Sequence, residues 1–129
     1  MSLPTIYTLS EIRAASFPVP EPIVKGLLSE GETIVLVGKP KAGKTRLTQQ
    51  LTICLSRSEC FLGMEVPKCR KVLYLDLENR PAGAQHRFQV MSTAHPGDEL
   101  VKIYAPETLA ENRVLPASVR DCRWSRLLV

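Results

Sequence analysis

Apolar residues occur at two different spacings along this chain, and the alternation between them sets the expected architecture. Thr33-Ile34-Val35-Leu36-Val37 is a short β-branched, apolar run that stops at Gly38, the signature of a buried strand. Immediately afterwards Leu47, Leu51, Cys54 and Leu55 recur at i, i+4, i+7 and i+8, which predicts a helix with one apolar stripe. The period then returns to two in Lys71-Val72-Leu73-Tyr74-Leu75-Asp76-Leu77-Glu78. Read as one strand, that run sends Val72, Tyr74, Asp76 and Glu78 to one face and the three leucines to the other, so both carboxylates share a side. Asn79-Arg80-Pro81 stops the strand and starts a second helix, with Ala84, Phe88 and Met91 on one face and an end near His95-Pro96-Gly97-Asp98. Leu100-Val101-Lys102-Ile103-Tyr104-Ala105 reads as a third strand. Strands and helices in alternation imply an α/β fold with a parallel sheet and flanking helices.

The flanks carry weaker signals. Thr8-Leu9-Ser10-Glu11 has the form of a capping box and predicts a short helix to about Ala15. Pro18, Pro20 and Pro22 alternate, which favours an extended strap, and Gly31 marks a turn. Cys60-Phe61-Leu62-Gly63 and Pro67-Lys68 mark a connector. Beyond Pro106 the pattern fades, with a helix expected over Ser118 to Arg126 that carries Arg120, Arg123 and Arg126 along a solvated side and packs Trp124. The expected division is 1–25, an N-terminal helix and proline strap, and 26–129, the α/β core.

Composition narrows the class. With 129 residues, 44% hydrophobic and 23% charged, the chain suits one globular domain. No stretch is long enough for a membrane span and the N-terminus lacks the layout of a secretory signal, so the expected location is cytoplasmic. Cys54, Cys60, Cys69 and Cys122 lack paired C-x-x-C spacing and only two histidines accompany them, which argues for reduced structural thiols over a zinc site. The net charge is +4, and Lys39, Lys41, Lys44 and Arg46 form a positive cluster. No basic stripe interleaved with aromatics points to a nucleic-acid face.

That cluster surrounds Gly38-Lys39-Pro40-Lys41-Ala42-Gly43-Lys44-Thr45, which matches the phosphate-loop pattern G-x-x-x-x-G-K-[ST] at every fixed position. A phosphate tail needs backbone N–H groups turned inward, glycines where a side chain would obstruct, and a cation. Strand, loop and helix follow in the required order, which sets the match apart from a chance Gly/Lys turn. On this reading the backbone of Lys41 to Thr45 cradles the phosphates of ATP, Lys44 reaches the β and γ phosphates, and Thr45 offers its hydroxyl to Mg²⁺. Lys39 and Lys41 either add field or simply face solvent. Glu78, at the carboxyl edge of the second strand, is the candidate for activating water, the alternative being a surface carboxylate in a turn; Asp76 is the expected structural partner.

Together the loop, Phe61-Leu62-Gly63, the run Val72 to Glu78 and Gln85-His86-Arg87-Phe88 resemble the RecA-like P-loop ATPases (AAA family ATPases) of the plasmid replicative helicase RepA type. The resemblance spans Gly26 to about Met91, the N-terminal portion of such a P-loop NTPase core. It implies ATP and Mg²⁺ as ligands, Glu78 as the catalytic glutamate together with Lys44, and Arg87 as the helix arginine. It further implies single-stranded DNA as a partner, homo-oligomers such as hexameric rings, and a place in DNA replication or mobile elements. The family's second acidic motif, four apolar residues and an aspartate, is missing after residue 105; Arg126-Leu127-Leu128-Val129 is the expected opening of that strand. The sheet is therefore expected to be C-terminally incomplete, with apolar edges that favour self-association and with hydrolysis in doubt. A non-catalytic nucleotide-binding remnant is the alternative, and a small-molecule kinase a weaker third.

Overall fold

The computed structural model describes residues 6–106 and the backbone of residues 125–128. Helix α1 (Leu9–Ala14) begins at the expected capping box: the Thr8 hydroxyl accepts from the Glu11 N–H while the Glu11 carboxylate accepts from the Thr8 N–H. Residues 15–21, where the strap was expected, carry no regular secondary structure. They lead into an antiparallel hairpin of β1 (Pro22–Val24) and β2 (Leu28–Ser29), which the proline pattern concealed.

Helix α2 (Lys44–Arg57) is the centre of the core. Leu51, Cys54 and Leu55 are buried with Ile23 and Val24 of the hairpin, Phe61 and Val66 of the connector and Val72 of the sheet; Leu47 packs against the rim. Two of the polar residues it buries bond along its own backbone: Thr52 donates to the Thr48 carbonyl and Ser56 to that of Ile53. Cys54 is buried, and that burial pushes its thiol pKa up, whereas Cys60 and Cys69 are exposed in the connector.

Strands β3 (Val72–Leu75), β4 (Val101–Tyr104) and β5 (Ser125–Leu128) form a parallel sheet in the order β4-β3-β5. All four residues of β3 are buried, as expected for a central strand covered on both faces. Helix α3 (Pro81–Met91) starts with its proline in the first turn and seats Ala84 inward, and Phe88 meets the ring of Tyr74 edge-on at 5.5 Å. A short 3-10 helix (Pro96–Leu100) then approaches the end of α2 so closely that a Cβ on Gly97 would lie 2.7 Å from the Ser56 carbonyl oxygen. Arg57 secures this contact, donating to the Thr93 carbonyl at 2.7 Å and pairing with Asp98 at 3.2 Å.

Three expectations are corrected. Thr33–Val37 is not a strand: it pairs with no strand among the described residues, and Val35 and Val37 are 82% and 85% exposed. Strand propensity is a preference for a pleated, half-buried surface, and here no ladder supplies that surface. The second strand ends at Leu75, three residues short of Glu78. The helix expected over Ser118 to Arg126 is overturned at its end, because Ser125 and Arg126 lie in β5; its remainder, with Arg120, Cys122, Arg123 and Trp124, lies outside the described residues. The expectation that Arg126 to Val129 opens a strand agrees with β5 at residues 126–128.

Two consequences are measurable. Leu55→Ala, in the core, is expected to cost about 2–5 kcal/mol in urea unfolding, whereas Val35→Thr should change stability by less than about 0.5 kcal/mol. Asp98 is held below its ordinary carboxyl range by the His95 backbone N–H and by Arg57. Its contribution is thus present above its unfolded value and lost as pH falls through the folded one. The melting difference between wild type and Asp98→Asn should therefore be largest near neutral pH and shrink as pH drops into and below the ordinary aspartate range.

Candidate functional site

The loop from Gly38 to Thr45 runs into the first turn of α2. Gly43, the residue at the junction, has φ of 97°, a conformation that side-chain-bearing residues resist, and Lys41 adopts φ of 63°. Ala42 donates its N–H to the Lys39 carbonyl at 3.2 Å. The Lys44 ammonium reaches back across the loop, donating to the carbonyls of Gly38 and, at 3.2 Å, Lys39. Helix α2 starts with no side-chain cap and no acidic residue in its first turn. Its leading N–H groups thus lack intrahelical acceptors, and the positive end of its dipole is uncompensated.

A cavity of about 680 Å³ opens over this helix end. One wall is the loop from Pro40 to Arg46; another is the turn after β3 with Glu78 and Asn79; a third is α3, with His86, Arg87, Val90 and Met91. Lys41, Lys44, Arg46 and Arg87 face it against the single carboxylate of Glu78. An uncapped helix terminus inside a cationic cavity is suited to a polyanion, and the donors present fit a phosphate tail.

The turn that carries Glu78 is organised by Asp76. Its buried carboxylate accepts from the backbone N–H groups of Glu78 (3.2 Å) and Asn79 (2.9 Å), and from the Asn79 amide at 3.1 and 3.2 Å. These bonds bend the chain away from the sheet just after the Asp76 N–H has donated to Tyr104. Asp76 is therefore the structural partner expected of it. The expectation that the two carboxylates share one strand face is corrected: Asp76 is buried in the turn, and Glu78 is exposed at the cavity wall.

Of the residues singled out in the sequence, Pro40, Lys41, Ala42, Gly43, Lys44, Thr45, Glu78 and Arg87 line the cavity. Gly38 and Lys39 do not; they serve the loop through the carbonyls that Lys44 grips. Asn79 and His86 enter the sequence analysis only as part of a strand stop and of a motif, and Gln49 not at all, yet all three line the cavity. Gln49 was nevertheless within reach of helix geometry, because it lies four residues after Thr45 and hence on the same face of α2.

Tyr74, in the central strand, is fully buried. Burial first, and then the nearby Asp76 carboxylate, push its phenol pKa up to about 12, against smaller opposing effects of Thr48, Gln49 and Arg87. The side chains of Thr48 and Gln49 lie beside the Tyr74 hydroxyl, although no residue among those described completes a hydrogen bond of full geometry with it.

Asp76→Ala should cost about 1–3 kcal/mol in chemical denaturation, because it strips the turn's buried acceptor. Asp76→Asn, which keeps one carbonyl oxygen, should recover part of that loss.

A family model described as an AAA domain matches residues 4–123. No curated protein and no solved structure matches the chain.

Proposed function

Since the chain belongs to the AAA domain family, whose members point to nucleotide-binding, ATPase-like function, we propose that this cavity binds ATP with Mg²⁺. One observation carries the reading: Lys44, Thr45, Glu78 and Arg87, drawn from three separate segments, line a single cationic cavity over the uncapped start of α2. The leading N–H groups of α2 and the Lys44 ammonium bind the phosphates, with Lys44 exchanging its two loop carbonyls for phosphate oxygens. The Thr45 hydroxyl is a ligand for Mg²⁺, whose chemistry when bound is to neutralise charge on the phosphate oxygens. Glu78, exposed at the wall, accepts the proton of an attacking water, and Arg87, from α3, stabilises negative charge.

The finer assignment, a RecA-like ATPase core acting in DNA replication or on mobile elements, as a homo-oligomer on single-stranded DNA, rests on the resemblance carried by the loop, Glu78 and Arg87. A second reading, nucleotide binding without turnover, is favoured by the exposed Thr33–Val37 segment, which pairs with no strand among the described residues and so has no ladder from them to brace the entry to the loop.

MgATP should raise the melting temperature of the wild type and of Glu78→Gln alike, and should fail to do so for Lys44→Ala. Turnover, measured as released phosphate, should fall by at least about a hundredfold in Glu78→Gln, the scale of a lost general base. Hydrolysis unchanged by Glu78→Gln would remove Glu78 from this role, and MgATP binding without wild-type turnover would select the second reading.

A further inference from the structure

Ile34, Val35, Leu36 and Val37 are consecutive apolar residues, and every one of them is exposed. Their exposure alternates, 46%, 82%, 47% and 85% in chain order, which is the period of an extended chain with one face partly covered and the other in solvent. From Thr33 to Val37 no backbone group makes a hydrogen bond among the described residues. Water can satisfy those groups, so the backbone carries no penalty; what stays unfavourable is the apolar surface. Strand-like edges left in water are commonly guarded by a charge or a proline within the run, and Thr33 to Val37 contains neither. The charges stand just outside it, Glu30 and Glu32 before and Lys39 and Lys41 after.

We propose that Thr33–Val37 pairs antiparallel with the same segment of a second copy of this chain, forming a two-fold dimer by strand addition. The order of the flanking charges makes the segment complementary to itself. Antiparallel pairing brings the acidic flank of each copy to the basic flank of the other, at both ends, whereas parallel pairing would set acid beside acid and lysine beside lysine. Glu30 is engaged with Arg70, so the charges that meet across the pair are Glu32 and Lys39, both exposed. Glu32 can serve in this way while its carboxylate also accepts from the Ser29 N–H at 2.8 Å. A two-fold centred on Val35 sets Val35 against itself, Ile34 against Leu36 and Thr33 against Val37, so the solvent-facing valines of the two copies cover one another. Gly31, at φ of 79°, and Pro40, which has no N–H to donate, bound the ladder on either side. The pairing also gives the entry to the phosphate loop a ladder that no described strand of the same chain provides.

The test measures molar mass against concentration by light scattering and sedimentation, without nucleotide and at low ionic strength, so that its failure leaves the ATP-binding reading standing. The wild type is expected to pass from one chain to two as concentration rises. Val35→Lys, which places like charges opposite each other at the two-fold, should raise the dimer dissociation constant by at least about tenfold, and Val37→Lys should raise it as well. Both positions are exposed, so the dilute variants should melt as the dilute wild type does. Glu32→Lys and Lys39→Glu should each weaken the dimer, and the two together should restore it. A single-chain mass up to the solubility limit would overturn the proposal. Association that ignores both valine variants would place the contact elsewhere and overturn it too, as would a closed ring of more than two copies. If the double charge reversal fails to restore what each reversal loses, the antiparallel pairing is wrong.

Discussion

Burial of one face of α2 holds the site in place. Leu51, Cys54 and Leu55 bind the helix to the hairpin, the connector and β3 at once, so the direction of its axis is set by apolar contacts remote from the cavity. The polar end of the same helix is left uncapped and aimed at the cavity. A helix terminus can be kept unsatisfied in this way only if packing elsewhere supplies the stability that the missing cap would have contributed, typically about 1 kcal/mol.

The opposite wall depends on a polar device. Asp76 sits where the central strand must end, and its carboxylate gathers the N–H groups of the two residues that follow. This turn takes the backbone off the sheet and places Glu78 and Asn79 on the cavity wall, while Pro81 starts α3 in a direction that brings His86 and Arg87 to the same space. The hairpin, by contrast, is attached partly through charge: Lys68 pairs with Glu21 at 2.7 Å, Lys25 with Glu65 at 2.7 Å, and Arg70 with Glu30. The two lysine pairs are exposed and contribute little. Arg70 is shielded and also donates to the Pro22 carbonyl, so it is the stronger tie between the hairpin and the connector.

Buried polar atoms divide the interior into two kinds of region. Around Thr52, Ser56 and Asp76 every hydroxyl or carboxylate has a partner, and these positions serve the fold. Gln49, Tyr74 and the Nε groups of Arg57 and Arg70 lack a partner among the described residues, and of these only Gln49 lines the cavity. Membership of the AAA domain family accords with a fold built around a ligand site at that boundary.

The sequence by itself determined the elements whose signals are local. The capping box of α1, the apolar stripe of α2, the proline start of α3 and the parallel β3 and β4 could each be read from spacing, because a few neighbouring residues suffice to specify them. The loop from Gly38 to Thr45 was legible for the same reason: its chemistry is written in consecutive residues. Tertiary structure alone decided the rest. Thr33–Val37 has the composition of a strand, yet a strand exists only through its neighbours, and none of the described strands pairs with it. Glu78 left the strand because Asp76 found its hydrogen-bond partners in a turn, an outcome that two-residue periodicity cannot express. Nothing in the neighbouring residues marks Gln49, and only the cavity it lines sets it apart, since lining a cavity is a property of the packed molecule and not of any stretch of chain.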